Sequence, residues 1–227
     1  MKRSSPGRGG DFAWASSALA VCAHPDDESF GLGAVLNHLV ASGIRASVLC
    51  FTAGEASTLS LSDQLGTVRA AELRTAAGEL GIESVHLGDH PDGSLGEVPL
   101  DRLSREVATM IETVGADVMV VFDEGGVTGH PDHCRATEAA LLGAPDVPVL
   151  GWCLPIRLGE QLNDEFGTSF VGREDSEIDM IVAVDRTAQR RAIACHASQS
   201  LDNPVLWRRL ELLGDHEALR WLRTPGR

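Results

Sequence analysis

Short, continuous apolar runs alternate with stretches of helical periodicity along this chain, and that alternation limits its fold more than any other feature. Residues 19–23, 46–51, 84–87, 117–122, 147–153 and 178–184 read as strands. Between the first two, Leu32, Val35, Leu36, Leu39 and Val40 keep helical spacing, and Gly43 stops the helix. Residues 68–80, 100–114, 130–142 and 188–197 continue the helical pattern, with Gly81 closing the first of them. Strands that are apolar on both faces and separated by helices belong in a parallel sheet covered on both sides. The expected fold class is therefore α/β, with a Rossmann-like, mostly parallel sheet and helices on both faces, in a single domain. Residues 158–179 are polar and aperiodic and read as a long loop. Residues 205–222, with Trp207 and Trp221, read as a terminal helix.

The 227 residues suit one domain, here 12–227, and a hydrophobic fraction of 43% supplies one core. Residues 1–11 are rich in Gly, Ser, Pro and basic side chains and read as a disordered tail. Lys2, Arg3 and Arg8 ahead of an Ala-rich segment resemble a signal peptide, but Ser16 and Ser17 interrupt it, and cleavage near Ala23 would remove the first strand. No run approaches the roughly 20 apolar residues of a membrane span. A net charge of −14 argues against nucleic acid and anionic membrane as partners, because both need a basic surface. A small-molecule substrate is the expected partner, and a homo-oligomer stays open. The five cysteines form no CxxC pair, and Cys22, Cys50 and Cys153 lie inside apolar runs. That usage suits a reducing, cytoplasmic compartment.

Four segments with polar residues fall at the carboxyl ends of the expected strands, where open α/β sheets bind ligands. They are His24–Pro25–Asp26–Asp27–Glu28, Phe51 to Glu55, Gly88 to Asp92, and His130–Pro131–Asp132–His133. The first and last together offer the ligands of a catalytic zinc, two His and one Asp, with a position open for water. They also leave a carboxylate and a His for proton transfer. Neighbouring Asp side chains diverge, so one of Asp26 and Asp27 can reach a metal while the other addresses water; the spacing does not choose between them. Helix capping is the alternative for both, and Glu28 fits capping as well as support of a ligand. Pro131 suits the first position of a helix, Asp132 complements its positive end, and His130 and His133 project from the same side.

The AHPDDE and HPDH motifs, in this order and at this separation, resemble the LmbE-like, or PIG-L, family of zinc-dependent N-acetylglucosaminyl deacetylases. The likeness extends to Arg69–Ala70–Ala71–Glu72–Leu73 and to His196–Ala197–Ser198–Gln199. The resemblance implies Zn2+ held by His24, Asp27 and His133, other divalent transition metals being possible. It implies Asp26 as general base, His130 as support of the oxyanion and donor to the leaving amine, and Asp132 as the group that orients His130. It also implies Arg69, Asp92 and Glu55 as substrate-binding residues; surface pairing of Arg69 and a turn at Asp92–Gly93 are the competing readings. His196 receives no catalytic step. Some sugar deacetylases of this family carry a Tyr at the position of Thr128; this chain has no Tyr at all.

The expected function is removal of an N-acetyl group from an N-acetylglucosamine-type sugar or glycoside. An alternative keeps the metal and changes the substrate to another acylated metabolite or thiol-cofactor precursor. A non-catalytic sugar- or nucleotide-binding protein is the remote alternative; the G-x-G-x-x-G turn it would need after the first strand is replaced by His24–Asp27.

Overall fold

The computed structural model describes residues 12–59 and 64–226. The elements run β1 (Ser17–Cys22), α1 (Asp27–Phe30), α2 (Gly33–Ala41), β2 (Arg45–Thr52), α3 (Leu65–Leu80), β3 (Ser84–His90), α4 (Leu100–Val114), β4 (Val118–Phe122), α5 (Pro131–Gly143) and β5 (Val149–Pro155). They continue with α6 (Ile156–Phe166), β6 (Gly172–Arg173), β7 (Met180–Ala183), α7 (Thr187–Cys195), α8 (Ala197–Ser200), α9 (Pro204–Leu213) and β8 (His216–Arg223). The expected disordered tail, 1–11, lies outside the described residues.

The sheet order is β3-β2-β1-β4-β5-β8-β7, with the short β6 beside β5. The pairs from β3 to β5 are parallel, and β8 runs antiparallel between β5 and β7. This is the mostly parallel α/β sheet expected from the alternation. Successive side chains of a strand face opposite sides. Accordingly Leu19, Val21, Leu49, Phe51, Met119 and Val121 pack with α4 and α5, while Ala18, Ala20, Val48, Cys50, Val118 and Val120 pack with α2. On the amphipathic α4, Leu103, Val107 and Met110 face the sheet at helical spacing.

Chain order reverses between β1 and β4. The connection from β1 goes to one side and that from β3 crosses to the other, which opens a crevice at the carboxyl ends of these two strands. α1 closes one wall of it. Gly31 lies so close to the Phe122 ring that any Cβ there would collide with it.

Two expectations are corrected. The stretch 158–179 is not one long loop, because α6 occupies its first part: Leu162 is buried and Leu158 packs one turn earlier on the same face. The remaining positions of α6 are polar, so its narrow apolar stripe is lost in the average composition. The terminal helix over 205–222 ends at Leu213. Gly214, at φ 55 and ψ −131, adopts a conformation that suits glycine, and the chain turns back as β8. β8 is bonded along both edges, a long-range pairing that local periodicity does not contain. No helix among the described residues is long and apolar enough to cross a membrane.

Candidate active site

The turn after β1 is built around Asp27. Its Oδ2 accepts the N–H groups of Ala23 (3.0 Å) and His24 (2.9 Å). That leaves Oδ1 at 3.1 Å from His133 Nε2. His24 Nδ1 lies 3.2 Å from the same nitrogen and 3.8 Å from Asp27 Oδ2. All three side chains are buried. Ligands at about 2.0–2.1 Å from a tetrahedral metal ion stand about 3.3–3.4 Å apart. His24 Nδ1 and His133 Nε2, 3.2 Å apart, and Asp27 Oδ1, 3.1 Å from His133 Nε2, are spaced as ligands of such an ion are. The far sides of both rings are fixed as ligand imidazoles require. His133 Nδ1 donates to the Gly126 carbonyl at 3.0 Å and has Thr128 Oγ1 at 3.0 Å. His24 Nε2 faces Asp92 Oδ1 at 3.0 Å and Asp132 Oδ2 at 3.3 Å. His130 also brings a nitrogen within reach of those of His24 and His133.

The electrostatics of the metal-free cluster follow from this packing. Burial alone would depress the His24 imidazole, but hydrogen bonds to Asp132 and Asp92 reverse that and lift it to about 10. Burial would raise Asp27, yet the charge and hydrogen bond of His133 outweigh it and hold the carboxyl well below its ordinary range. For Asp132 and Asp92 too, the His24 hydrogen bond outweighs burial and lowers the carboxyl. Burial, then the charge of His24, lowers the His130 imidazole.

Asp26 sits beside this cluster in a conformation rare for a non-glycine residue, with φ 111. Such strain costs on the order of 1–3 kcal/mol and persists only where surrounding bonds enforce it. Those bonds are present. The Asp26 N–H donates to Glu28 Oε2 (2.9 Å), and its carbonyl accepts from Phe30 N (2.6 Å). Arg69 Nη2 donates to Asp26 Oδ2 (3.1 Å) and to the Pro25 carbonyl (2.5 Å), while Nη1 donates to the Gly54 carbonyl (2.6 Å). Burial raises the Asp26 carboxyl to about 6 against the pull of Arg69.

The structure gathers His24, Asp26, Asp27, Arg69, Asp92, His130 and His133 around one cavity of about 470 Å³. Glu55 is not in its lining: Glu55 accepts from the Asp92 N–H at 2.9 Å and holds that loop from outside. Asp132 also differs from expectation. Its carboxylate accepts from Gly93 N (2.8 Å) and Leu95 N (3.1 Å) and faces His24. It is the Asp132 backbone N–H that donates to His130 Nδ1, at 3.1 Å. His130 N-caps α5 through this bond, so a neutral His130 carries its proton on Nε2. Sequence reasoning missed Thr128 and the Gly126 carbonyl as supports of His133. The three glycines among residues 125–129 were the signal that this turn brings backbone against a site. It also missed Phe30, Phe122 and Arg209 in the cavity wall, which carry no local signature.

A buried His/Asp cluster at the switch point of a Rossmann-like sheet, spaced as metal ligands are and open to a cavity, suits metal-assisted hydrolysis, and the homologues of this chain are deacetylases, hydrolases that act on amide bonds. The chain belongs to the PIG-L (LmbE-like) family: the family profile described as GlcNAc-PI de-N-acetylase matches residues 19–143, more than half its length. It is 28% identical over 240 residues to the 1D-myo-inositol 2-acetamido-2-deoxy-alpha-D-glucopyranoside deacetylase of Salinispora arenicola, with 83% of this chain and 78% of that one covered. It is 33% identical over 196 residues to the protein of the same name from Mycobacterium sp. (strain KMS), covering 74% of this chain and 62% of that one. The N,N'-diacetylchitobiose deacetylase of Pyrococcus horikoshii shares the fold, with a TM-score of 0.69 and 20% identity over 93% of this chain and 85% of that one.

Proposed function

We propose that this protein removes the N-acetyl group from an N-acetylglucosamine-type sugar or glycoside, using a divalent metal held by His24, Asp27 and His133. The observation that carries the reading is the juxtaposition of those ligand-spaced atoms with Asp26, a strained and partly buried carboxylate facing the same cavity. The nitrogen and oxygen donors suit zinc, and iron(II) or cobalt(II) accept the same set. Bound there, the metal supplies polarisation of the amide carbonyl and a lowered pKa for water.

The chain's own residues do the rest. Asp26 accepts the proton of the attacking water, and Arg69 fixes the carboxylate that receives it. His130, its Nδ1 occupied by the Asp132 N–H, keeps Nε2–H to stabilise the developing oxyanion; giving that proton away would leave an imidazolate, so Asp26 passes the proton it took from water to the leaving amine. Asp132 and Asp92 lock the ring of His24, and Gly126 with Thr128 locks that of His133. Asp132 thus supports the site chiefly through His24. Arg69 and Asp92 line the cavity and are proposed to meet the sugar; Glu55 acts by holding Asp92.

Acetate release from N-acetylglucosamine and a panel of its glycosides, before and after chelation and metal restoration, tests the reading. Release that stops with chelator and returns with metal is expected. A metal-loaded protein that releases no acetate from any of them would refute the sugar substrate. The alternative, an amide on another acylated metabolite, is favoured by Thr128, since some sugar deacetylases of the family carry a Tyr there.

A further inference from the structure

Two segments with no step in this reaction, His196–Gln199 and Glu72, join each other and the catalytic turn. His196 and Glu28 are both completely buried. His196 Nε2 donates to Glu28 Oε1 at 2.7 Å, across 168 positions of chain. Ser29 Oγ donates to the same oxygen at 2.5 Å. The other oxygen, Oε2, receives the backbone N–H of Asp26. A carboxylate in a dry interior keeps its charge only where donors surround it. Here the three donors come from a distant helix end, from α1, and from the one residue of the turn with a left-handed backbone. Two residues on, Ser198 N (2.9 Å) and Ser198 Oγ (2.6 Å) donate to Glu72 of α3, the helix that carries Arg69. Gln199 Oε1 accepts from Ser57 Oγ (2.7 Å), in the loop after β2.

The segment therefore clamps three pieces of chain: the turn bearing Asp26, the helix bearing Arg69, and the loop whose Gly54 carbonyl Arg69 holds. Among the described residues the buried Nδ1 of His196 has no hydrogen-bond partner, and the ring instead meets Phe30 edge-on, with centroids 5.7 Å apart. Among the described residues the Nε2–Glu28 bond is thus the single hydrogen bond that orients this imidazole.

We propose that Glu28 and His196 are positioning residues for Asp26. Their hydrogen bond holds Glu28 so that it captures the Asp26 N–H and keeps the carboxylate of the strained residue aimed at the reacting water. This rests on the reading of Asp26 as the base. Neither residue touches substrate or metal; both act through the backbone of residue 26.

The test compares His196→Leu with His196→Gln, whose side-chain amide can still donate to Glu28. For His196→Leu, kcat should fall about 100-fold, the scale of an ångström-level misplacement, with KM within about twofold and bound metal unchanged. His196→Gln should recover kcat to within about fivefold of wild type. A Leu variant that keeps kcat within about threefold, or a Gln variant no better than Leu, would overturn the proposal. Should His196→Leu not fold, Glu28→Gln serves in its place: the same drop in kcat supports the idea and an unchanged kcat sinks it. Crystal structures of these variants give a readout that needs no substrate: residue 26 should leave the left-handed region, and an unmoved Asp26 overturns the proposal. If the wild-type protein deacetylates nothing in the panel, the functional reading fails alone and the structural arm still decides.

Discussion

Asp26→Asn removes one charge and little else; it should inactivate the metal-loaded protein and make the metal-free protein more stable. Asn keeps the shape of Asp, tolerates a left-handed backbone, and still offers an oxygen to Arg69. What disappears is a carboxylate whose side chain is 16% exposed and which burial has lifted from 3.8 to about 6. That elevation corresponds to about 3 kcal/mol against the ionised form in the folded state. Allowing for a weaker bond to Arg69, the variant should gain about 2 kcal/mol at pH 7.5, or roughly 4–8 °C in Tm for a chain of this size. The sign follows from linkage. A folded-state pKa above the unfolded one means the fold binds the proton more tightly. The associated stability is fully present below pH 3.8 and lost as pH rises through 6. The gap between Asn and wild type should therefore be near zero at pH 4 and full above pH 7. Urea unfolding of chelator-treated proteins across that range measures it, and acetate release on metal-loaded samples should fall by about 10²–10⁴. An Asn variant no more stable than wild type at pH 7.5, or a gap that ignores pH, would refute the claim that this carboxylate is held charged at a cost.

Two further outcomes are expected. His133→Ala removes the atom that lies within 3.2 Å of both His24 Nδ1 and Asp27 Oδ1, so the purified protein should carry little metal; a full equivalent by elemental analysis would break the proposed ligand set. Glu217 is completely buried and accepts from Arg186 Nη1 (2.5 Å) and Trp152 Nε1 (2.6 Å). Glu217→Ala leaves the buried Arg186 charge without a carboxylate and Trp152 Nε1 without its acceptor, and should cost about 3–5 kcal/mol; a loss below about 1 kcal/mol in urea unfolding would show that the pair is not what holds β8 to the start of α7.

The two motifs made the candidate metal site legible because its chemistry is concentrated in short runs. His24, Asp26 and Asp27 share one turn, and His130 and His133 share one helical start. Apolar strands at regular intervals then fixed which rim those runs must share. Legibility failed where a role depends on direction. Asp132 belongs to the same short motif as His130, yet its carboxylate faces His24 and the N–H groups of Gly93 and Leu95. Glu55 misses the cavity for the same reason. α6 was hidden by a single narrow apolar stripe, and β8 by a helical spacing that runs up to Gly214.

The amino-acid sequence by itself determined the α/β class, the parallel sheet and the composition of the candidate His/Asp metal site, since each is encoded within a few neighbouring residues or in their period. Only the tertiary structure decided which atom of each side chain faces which, that β8 inserts between β5 and β7, and that His196 reaches Glu28. Those outcomes rest on pairings between residues far apart in the chain. Such pairings acquire a partner, a distance and a low-dielectric surrounding only once the core has closed around them.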